Sequence, residues 1–312
     1  MFRRKNARLV AMALALVVVA ACLFYLFTRF DWREPLRVVR DANLAALIAA
    51  LVCLQFAYIC VRTLRWQVIV RERNPEATFG ALYWITAIVV SLSMLTPGQV
   101  GETVKVELLK RRGFGNRLPA LGSFAIERIL DLLTLAGFGL VGLTLGGGLS
   151  DHFPQLRVVA ALLFVGALAV FFWLSRSPAG AAPLGWVAHL RSGTGTAAVK
   201  GKTLALTIAS WGLVGVAWQV ALGMVGVHVS LPAVCWLLSI VTFGSLISLM
   251  PGGIGLADVV LIQALLGMGV SSTAAQAGAL ILRLHMLVGI LLGCAHLLAW
   301  PFVPRSLRGQ QS

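Results

Sequence analysis

Apolar residues along this chain fall in long blocks separated by short basic or polar segments. The blocks cover approximately residues 9–28, 42–61, 79–96, 118–145, 156–175, 203–226, 231–250, 254–270 and 274–301. A helix of about 20 apolar residues crosses the hydrocarbon core of a bilayer. The pattern therefore predicts an all-α, polytopic integral membrane protein. Arg3, Arg4, Lys5 and Arg8 precede the first block. Val19-Ala20-Ala21-Cys22 has the look of a lipoprotein cleavage box, but the run continues as Leu23-Phe24-Tyr25-Leu26-Phe27. It reads as an uncleaved first span.

Two blocks break in an unusual way. The block 79–96 runs into Pro97-Gly98-Gln99-Val100-Gly101, and the segment after it carries Glu102, Lys105, Glu107 and Lys110, too short and too polar to cross alone. The block 231–250 runs into Pro251-Gly252-Gly253-Ile254-Gly255 and an apolar stretch to Val270. The two tips match at an offset of 154 residues, and each is followed by an apolar helix with one arginine, Arg128 and Arg283. This predicts one transmembrane domain made of two halves, 1–150 with a hairpin at 79–112 and 151–312 with a hairpin at 231–270. An odd number of crossings between the hairpins would invert one half relative to the other. Inverted repeats with broken helices are a transporter signature, with the ligand site near mid-membrane.

Composition sharpens the class. The chain is 59% hydrophobic and 12% charged, with mean hydropathy +0.90, against roughly 25% charged in soluble domains. That excludes a cytosolic enzyme, a nucleic-acid-binding domain and a disordered chain. The net charge of +15 decides topology, because cytoplasmic loops collect Lys and Arg. If 79–96 crosses fully, about 11 basic residues lie inside and about 13 outside. If the chain turns back at Pro97-Gly98, about 18 lie inside and about 5 outside, with Lys105, Arg128 and Arg283 in the membrane. The second arrangement is the one expected: about six crossing helices, a first hairpin entering from the cytoplasm, a second from the periplasm, and both termini cytoplasmic. Trp32, Trp66, Trp173 and Trp300 would form interfacial belts. Cys22, Cys53, Cys60, Cys235 and Cys294 all sit in apolar runs and read as small buried hydrophobes.

Ionisable residues inside a membrane are costly and default to functional candidates. Glu102 and Lys105 lie on one helical face just past the first tip. Glu127, Arg128 and Asp131 follow in the next helix, and Asp258, Arg283 and His285 flank the second tip. Arg128–Asp131 and Arg283–Asp258 can act as salt bridges that pin hairpins to spans. The functional reading has Lys105, Arg128 and Arg283 hold an anion, helped by tip N–H groups around Gly98, Gly101, Gly252, Gly253 and Gly255. Glu102, Glu127, Asp131, Asp258 and His285 would balance charge or carry protons. Arg62 and Arg65 end the second block as a basic anchor or a headgroup contact. His285 and His296 lack a third ligand, so no metal site is expected. Gly142, Gly146, Gly147 and Gly148 form no phosphate loop, since no Lys-Ser/Thr follows. No Ser/His/Asp set is visible, so no catalytic residue, no cofactor and no enzyme activity are expected.

At these residues the chain resembles a known family. Pro97-Gly98-x-Val100-Gly101-Glu102-x-x-Lys105 with Glu127-Arg128-x-x-Asp131, the second tip with Asp258 and Arg283, and Arg62-x-x-Arg65-Trp66 resemble the flippase-like transmembrane domain of lysylphosphatidylglycerol synthases. Lys105 stands where that family often has Arg, and Asp258 where it often has Glu; both keep the charge. The resemblance implies a stand-alone transmembrane domain without the aminoacyltransferase module. It implies translocation of an amphipathic lipid across a bacterial inner membrane, the lipid being an aminoacyl-phospholipid, hopanoid, glycolipid or polyprenyl-phosphate. Partners on this reading are the membrane lipid and lipid-biosynthesis enzymes, with no nucleic acid. The rival readings are a small-solute or ion transporter and a scaffold for lipid-modifying enzymes.

Overall fold

The computed structural model describes residues 24–28, 31–72, 74–96, 101–111, 117–146, 154–176, 197–248 and 251–303. Most of the expected first span, Cys22, the first tip with Gly98, Gly147, Gly148 and the C-terminal basic residues lie outside these. The described residues are almost all helical, with no strand among them. In chain order the helices are α1 Arg33–Asp41, α2 Leu44–Arg71, α3 Phe79–Leu95, α4 Val104–Arg111, α5 Arg117–Leu145, α6 Pro154–Arg176, α7 Ala197–Met224, α8 Leu231–Ser248, α9 Leu256–Gly267 and α10 Ser272–Ala299. Side-chain caps start several of them. Asn43, Thr78 and Ser271 accept from the N–H groups of Ala46, Ala81 and Ala274, satisfying donors that a helix leaves open in its first turn.

Among the described residues, four helical segments are long and apolar enough to cross a bilayer: Leu44–Arg71, Phe124–Leu145, Ala198–Met224 and Ser272–Phe302. The chain is a multi-pass membrane protein. Its broken elements are shorter. Helix α9 has 12 residues, about 18 Å at 1.5 Å per residue, well short of a core of about 30 Å. Helix α4 has 8. Each hairpin thus pairs one longer helix, α3 or α8, with a shorter one.

The two halves repeat one helix order. Helices α2, α3, α4 and α5 begin 153, 152, 152 and 155 residues before α7, α8, α9 and α10. The packing follows the same exchange. Helix α2 lies along α7, α3 packs on α10, and α8 packs on α5, so the long arm of each hairpin rests on the last span of the other half. Glycines let the backbones close up, as small residues do between membrane helices. A Cβ on Gly293 would collide with Ser91 of α3, and one on Gly142 with Trp236 and the Pro232 carbonyl of α8.

The second tip is a 3-10 turn over Pro251–Gly253 followed by Gly255, with positive φ at Gly252 (60°), Gly253 (64°) and Gly255 (88°). Side chains other than glycine avoid this region. The tip also sits against α3 and α10: a Cβ on Gly252 would strike the Met286 sulfur and lie 3.5 Å from the Met94 carbonyl oxygen. The end of the first hairpin's long arm and the tip of the second therefore meet in the interior.

One boundary differs from the hydropathy reading, with a physical reason. The second block does not end at residue 61; α2 continues to Arg71, and Arg62 and Arg65 are 5% and 1% exposed. They are not a water-facing anchor. Removing them from the cytoplasmic tally leaves about 16 basic residues against about 5, so the positive-inside argument is unchanged. Trp66 likewise leaves the interfacial belt, being 3% exposed within the core.

Candidate functional site

Tyr58, Arg62 and Arg65 lie at i, i+4 and i+7 of α2, a single face of the helix. That face looks at α4, α5 and α7. Arg62 donates from Nη2 to both oxygens of Glu102, at 2.9 and 3.1 Å, and from Nη1 to the Tyr58 hydroxyl at 2.7 Å. Arg65 donates from Nη1 to Asp131 Oδ1 at 2.5 Å and to Thr207 Oγ1 at 3.3 Å, and from Nη2 to Glu127 Oε2 at 3.0 Å. Lys105 Nζ reaches Glu127 Oε2 at 3.4 Å and lies 5.3 Å over the Trp66 ring. Arg128 Nη2 sits 2.7 Å from Glu102 Oε2 and 2.6 Å from Asp131 Oδ2. Trp211 of α7 donates its indole N–H to Asp131 Oδ1 at 3.1 Å.

The result is a buried charge cluster. Among the described residues it holds four cations, Arg62, Arg65, Lys105 and Arg128, and three carboxylates, Glu102, Glu127 and Asp131. It therefore carries one positive charge in excess. Six of the seven side chains are at most 6% exposed, whereas that of Arg128 is 26% exposed. Removing one partner from a buried pair typically costs about 3–5 kcal/mol, so the inner members hold α2, α4, α5 and α7 together. Arg128 alone combines membership with access. The buried Nε atoms of Arg62 and Arg65, and Glu127 Oε1, have no hydrogen-bond partner among the described residues.

The second group is local to its own tip. Arg283 grips Asp258 through two bonds of 2.7 Å, from Nε and Nη2, and donates to the carbonyls of Gly252 at 2.7 Å and Gly253 at 3.4 Å. Asp258 Oδ2 in turn accepts the Gly255 N–H at 2.9 Å. One arginine thus binds the tip carbonyls to α9 and α10. Two of the N–H groups expected to face an anion are used inside the tips: Gly255 N–H by Asp258, and Gly101 N–H by Thr96 Oγ1 at 2.7 Å. A tip this tight satisfies its own donors first. His285 borders the cavity described next, while His296 is bound elsewhere, to Tyr83 and the Leu292 carbonyl.

A cavity of about 200 Å³ separates the two groups. Gln55 and Tyr58 of α2 and Trp211, Val214 and Trp218 of α7 form one wall. Thr242 and Ser245 of α8, Gly252, and Asp258 with Arg283 close the other. Tyr58 and Trp211 border the cavity while their polar tips reach the charge cluster. On the far side of Asp258–Arg283 lies a second, apolar chamber bounded by Leu26, Phe27, Trp32 and Leu36.

Of the residues singled out in the sequence, Glu102, Lys105, Glu127, Arg128, Asp131, Arg62 and Arg65 converge in one cluster, and Asp258, Arg283 and the second-tip glycines in another. Tyr58, Gln55, Thr207, Trp211 and Trp218 were not singled out. Their signal was present in the sequence, since 55, 58, 62 and 65 share a face of α2, and 207, 211 and 218 a face of α7.

The chain matches the family described as the lysylphosphatidylglycerol synthase TM region over residues 12–293, nearly its whole length, and belongs to that family. A curated relative, the glycosyltransferase AglD of Haloferax volcanii, is 33% identical over 141 residues, covering 44% of this chain and 22% of that protein. The chain therefore spans about a fifth of the relative's length.

Proposed function

We propose that this member of the family moves an amphipathic lipid between the leaflets of a bacterial cytoplasmic membrane, without catalysing a covalent step. The observation that carries this reading is the cavity between the second broken hairpin and helices α2, α7 and α10, with a buried cluster at one end whose described side chains sum to one positive charge in excess. A phosphate in the lipid headgroup would supply the missing negative charge. Arg128, a quarter exposed, would meet it; bidentate contact suits a guanidinium to phosphate. Irregular backbone at membrane depth is tolerated where it is buried in protein or lines a cavity, and the second tip does both.

In this scheme both termini face the cytoplasm and the hairpins enter from opposite sides. The exchange packing of α3 on α10 and α8 on α5 supports such an inverted arrangement. Alternating access would come from rocking one half against the other around the cavity. The inner carboxylates Glu102, Glu127 and Asp131 fix the cations in place, and Asp258 and Arg283 hold the second tip. Enzymes of lipid synthesis are the expected partners. The relative named a glycosyltransferase adds glycosylated lipids to the candidate cargo.

The test is a leaflet-sidedness assay in proteoliposomes with labelled phosphatidylglycerol, lysyl-phosphatidylglycerol, a glycosyl-diacylglycerol and a polyprenyl phosphate. Protein-dependent movement of at least one, lost in Arg128→Gln, is expected. Uptake of a soluble solute with no lipid movement would replace this reading with that of a small-solute transporter.

A further inference from the structure

We infer that the central cavity is a binding site for a single pyranose ring, so that the lipid carried is glycosylated; this rests on the translocation reading above. The cavity of about 200 Å³ is smaller than the roughly 300–1,000 Å³ of sites for drug-sized ligands. It has room for one six-membered ring.

Its lining selects the chemistry. Tyr58, Trp211 and Trp218 give it three aromatic walls from two adjacent helices. Aromatic faces attract the C–H faces of flat saturated rings or cations. The charges nearby decide between the two. Asp258 and Arg283 neutralise one another through two 2.7 Å bonds, and the cluster behind Tyr58 and Trp211 is positive in excess. A cationic headgroup is repelled there, whereas a neutral ring is not. Gln55 supplies a further constraint: it borders the cavity, is 4% exposed, and its buried Nε2 has no hydrogen-bond partner among the described residues. A buried amide donor left unpaired costs about 1–3 kcal/mol. Turned into the cavity, this amide would donate to a ligand hydroxyl; an ammonium, which has no acceptor, could not take that bond. Thr242 of α8 and His285 of α10 add hydrogen-bonding groups around the same space. Aromatic faces, an unpaired amide and hydroxyls around a charge-neutral space are the complement of a sugar.

The apolar chamber tells a lipid-linked sugar from a free one. It shares the Asp258–Arg283 pair with the cavity and is otherwise bounded by hydrophobic side chains. A ring in the cavity would have its aglycone directed past that pair into hydrocarbon-like surroundings.

The experiment uses the full chain in nanodiscs. Saturation-transfer NMR is recorded with n-octyl β-D-glucopyranoside below its micellar concentration, with methyl β-D-glucopyranoside, and with tetraethylene glycol monooctyl ether, which keeps the tail and lacks the ring. The expected result is transfer to the ring protons of octyl glucoside, at least tenfold weaker binding of methyl glucoside, and none of the ether at the same site by competition. Gln55→Leu and Trp218→Leu are each expected to weaken octyl glucoside at least tenfold, with Trp218→Phe restoring part of the loss. Octyl glucoside displaced equally by the ether, or bound equally by all three variants, overturns the pyranose site. Methyl glucoside binding as tightly as octyl glucoside overturns its assignment to a lipid. The sidedness assay separates this from the broader reading. Movement of phosphatidylglycerol without octyl glucoside binding sinks the sugar site and leaves translocation standing. Specific octyl glucoside binding with no lipid movement does the reverse.

Discussion

Tyr58 and Trp211 stand 153 residues apart, at matching positions of two helices that pack side by side. Tyr58 accepts a 2.7 Å bond from Arg62, and Trp211 donates a 3.1 Å bond to Asp131. Both border the central cavity. The two halves thus contribute one aromatic each to the same boundary between cavity and charge. Tyr58→Phe keeps the ring and strips Arg62 Nη1 of its acceptor. A hydrogen bond to a charged group is worth about 1.5–3 kcal/mol. A lowered midpoint of thermal unfolding in detergent is the expected outcome. An unchanged midpoint would mean that this bond carries no stability.

Arg65 and Arg128 should separate stability from function. Arg65 is 1% exposed and bonds two carboxylates on α5. Arg65→Gln leaves Glu127 and Asp131 short of a partner at a cost of about 3–5 kcal/mol. It is expected to abolish a monodisperse peak in size-exclusion chromatography. Arg128→Gln removes the excess charge at an accessible position and should give folded protein that moves labelled lipid at least tenfold more slowly. Equal behaviour of the two variants would argue against this division.

The α3–α10 contact offers a double-mutant test. Gly293→Ala places a methyl group where Ser91 already stands, and overpacking typically costs about 1–3 kcal/mol. Ser91→Gly alone forfeits the 2.9 Å bond to the Gly289 carbonyl. Combined with Gly293→Ala it makes the missing space. The pair should be more stable than the sum of the single variants predicts, by the coupling expected of residues in contact. Additive losses would place the clash elsewhere.

At the second tip, Gly252→Ala meets both a positive φ of 60° and the Met286 sulfur. Strain of this kind costs on the order of 1–3 kcal/mol. Met286→Ala on top of it relieves the contact and leaves the backbone term, so a partial rescue of the unfolding midpoint is expected. Full rescue would mean that the positive φ costs nothing here.

Much of this architecture is legible in the chain. Long apolar blocks give the helices, and Pro251-Gly252-Gly253 marks the second break because the backbone there needs glycine. Both expected bridges, Arg128–Asp131 and Arg283–Asp258, form. The end of α2 was hidden for a physical reason. Two arginines within four residues lower local hydropathy, and a hydropathy window has no access to Glu102, Glu127 and Asp131, which lie 40 to 66 residues away and neutralise them. The Glu102–Lys105 spacing suggested a local pair, yet Lys105 turns to Glu127 and Glu102 to Arg62 and Arg128. Sequence spacing shows who shares a face; it does not show which neighbour the next helix brings. Trp211 and Trp218 were unremarkable as aromatics in an apolar run, and only the pairing of α2 with α7 gives them a role.

The buried cluster draws its seven described charged side chains from residues 62–131, while the one ion pair described within the matching helices of the later half is Arg283–Asp258. The backbone has two equivalent ends and the electrostatics has one. A polar molecule held between them would settle with its negative pole toward α2 and α5, so the scaffold acts as an oriented dipole trap. Such a device works in one sense only, and turning the whole protein over in the bilayer would reverse it. On the proposed topology and function, the basic loops would decide which leaflet that pole faces.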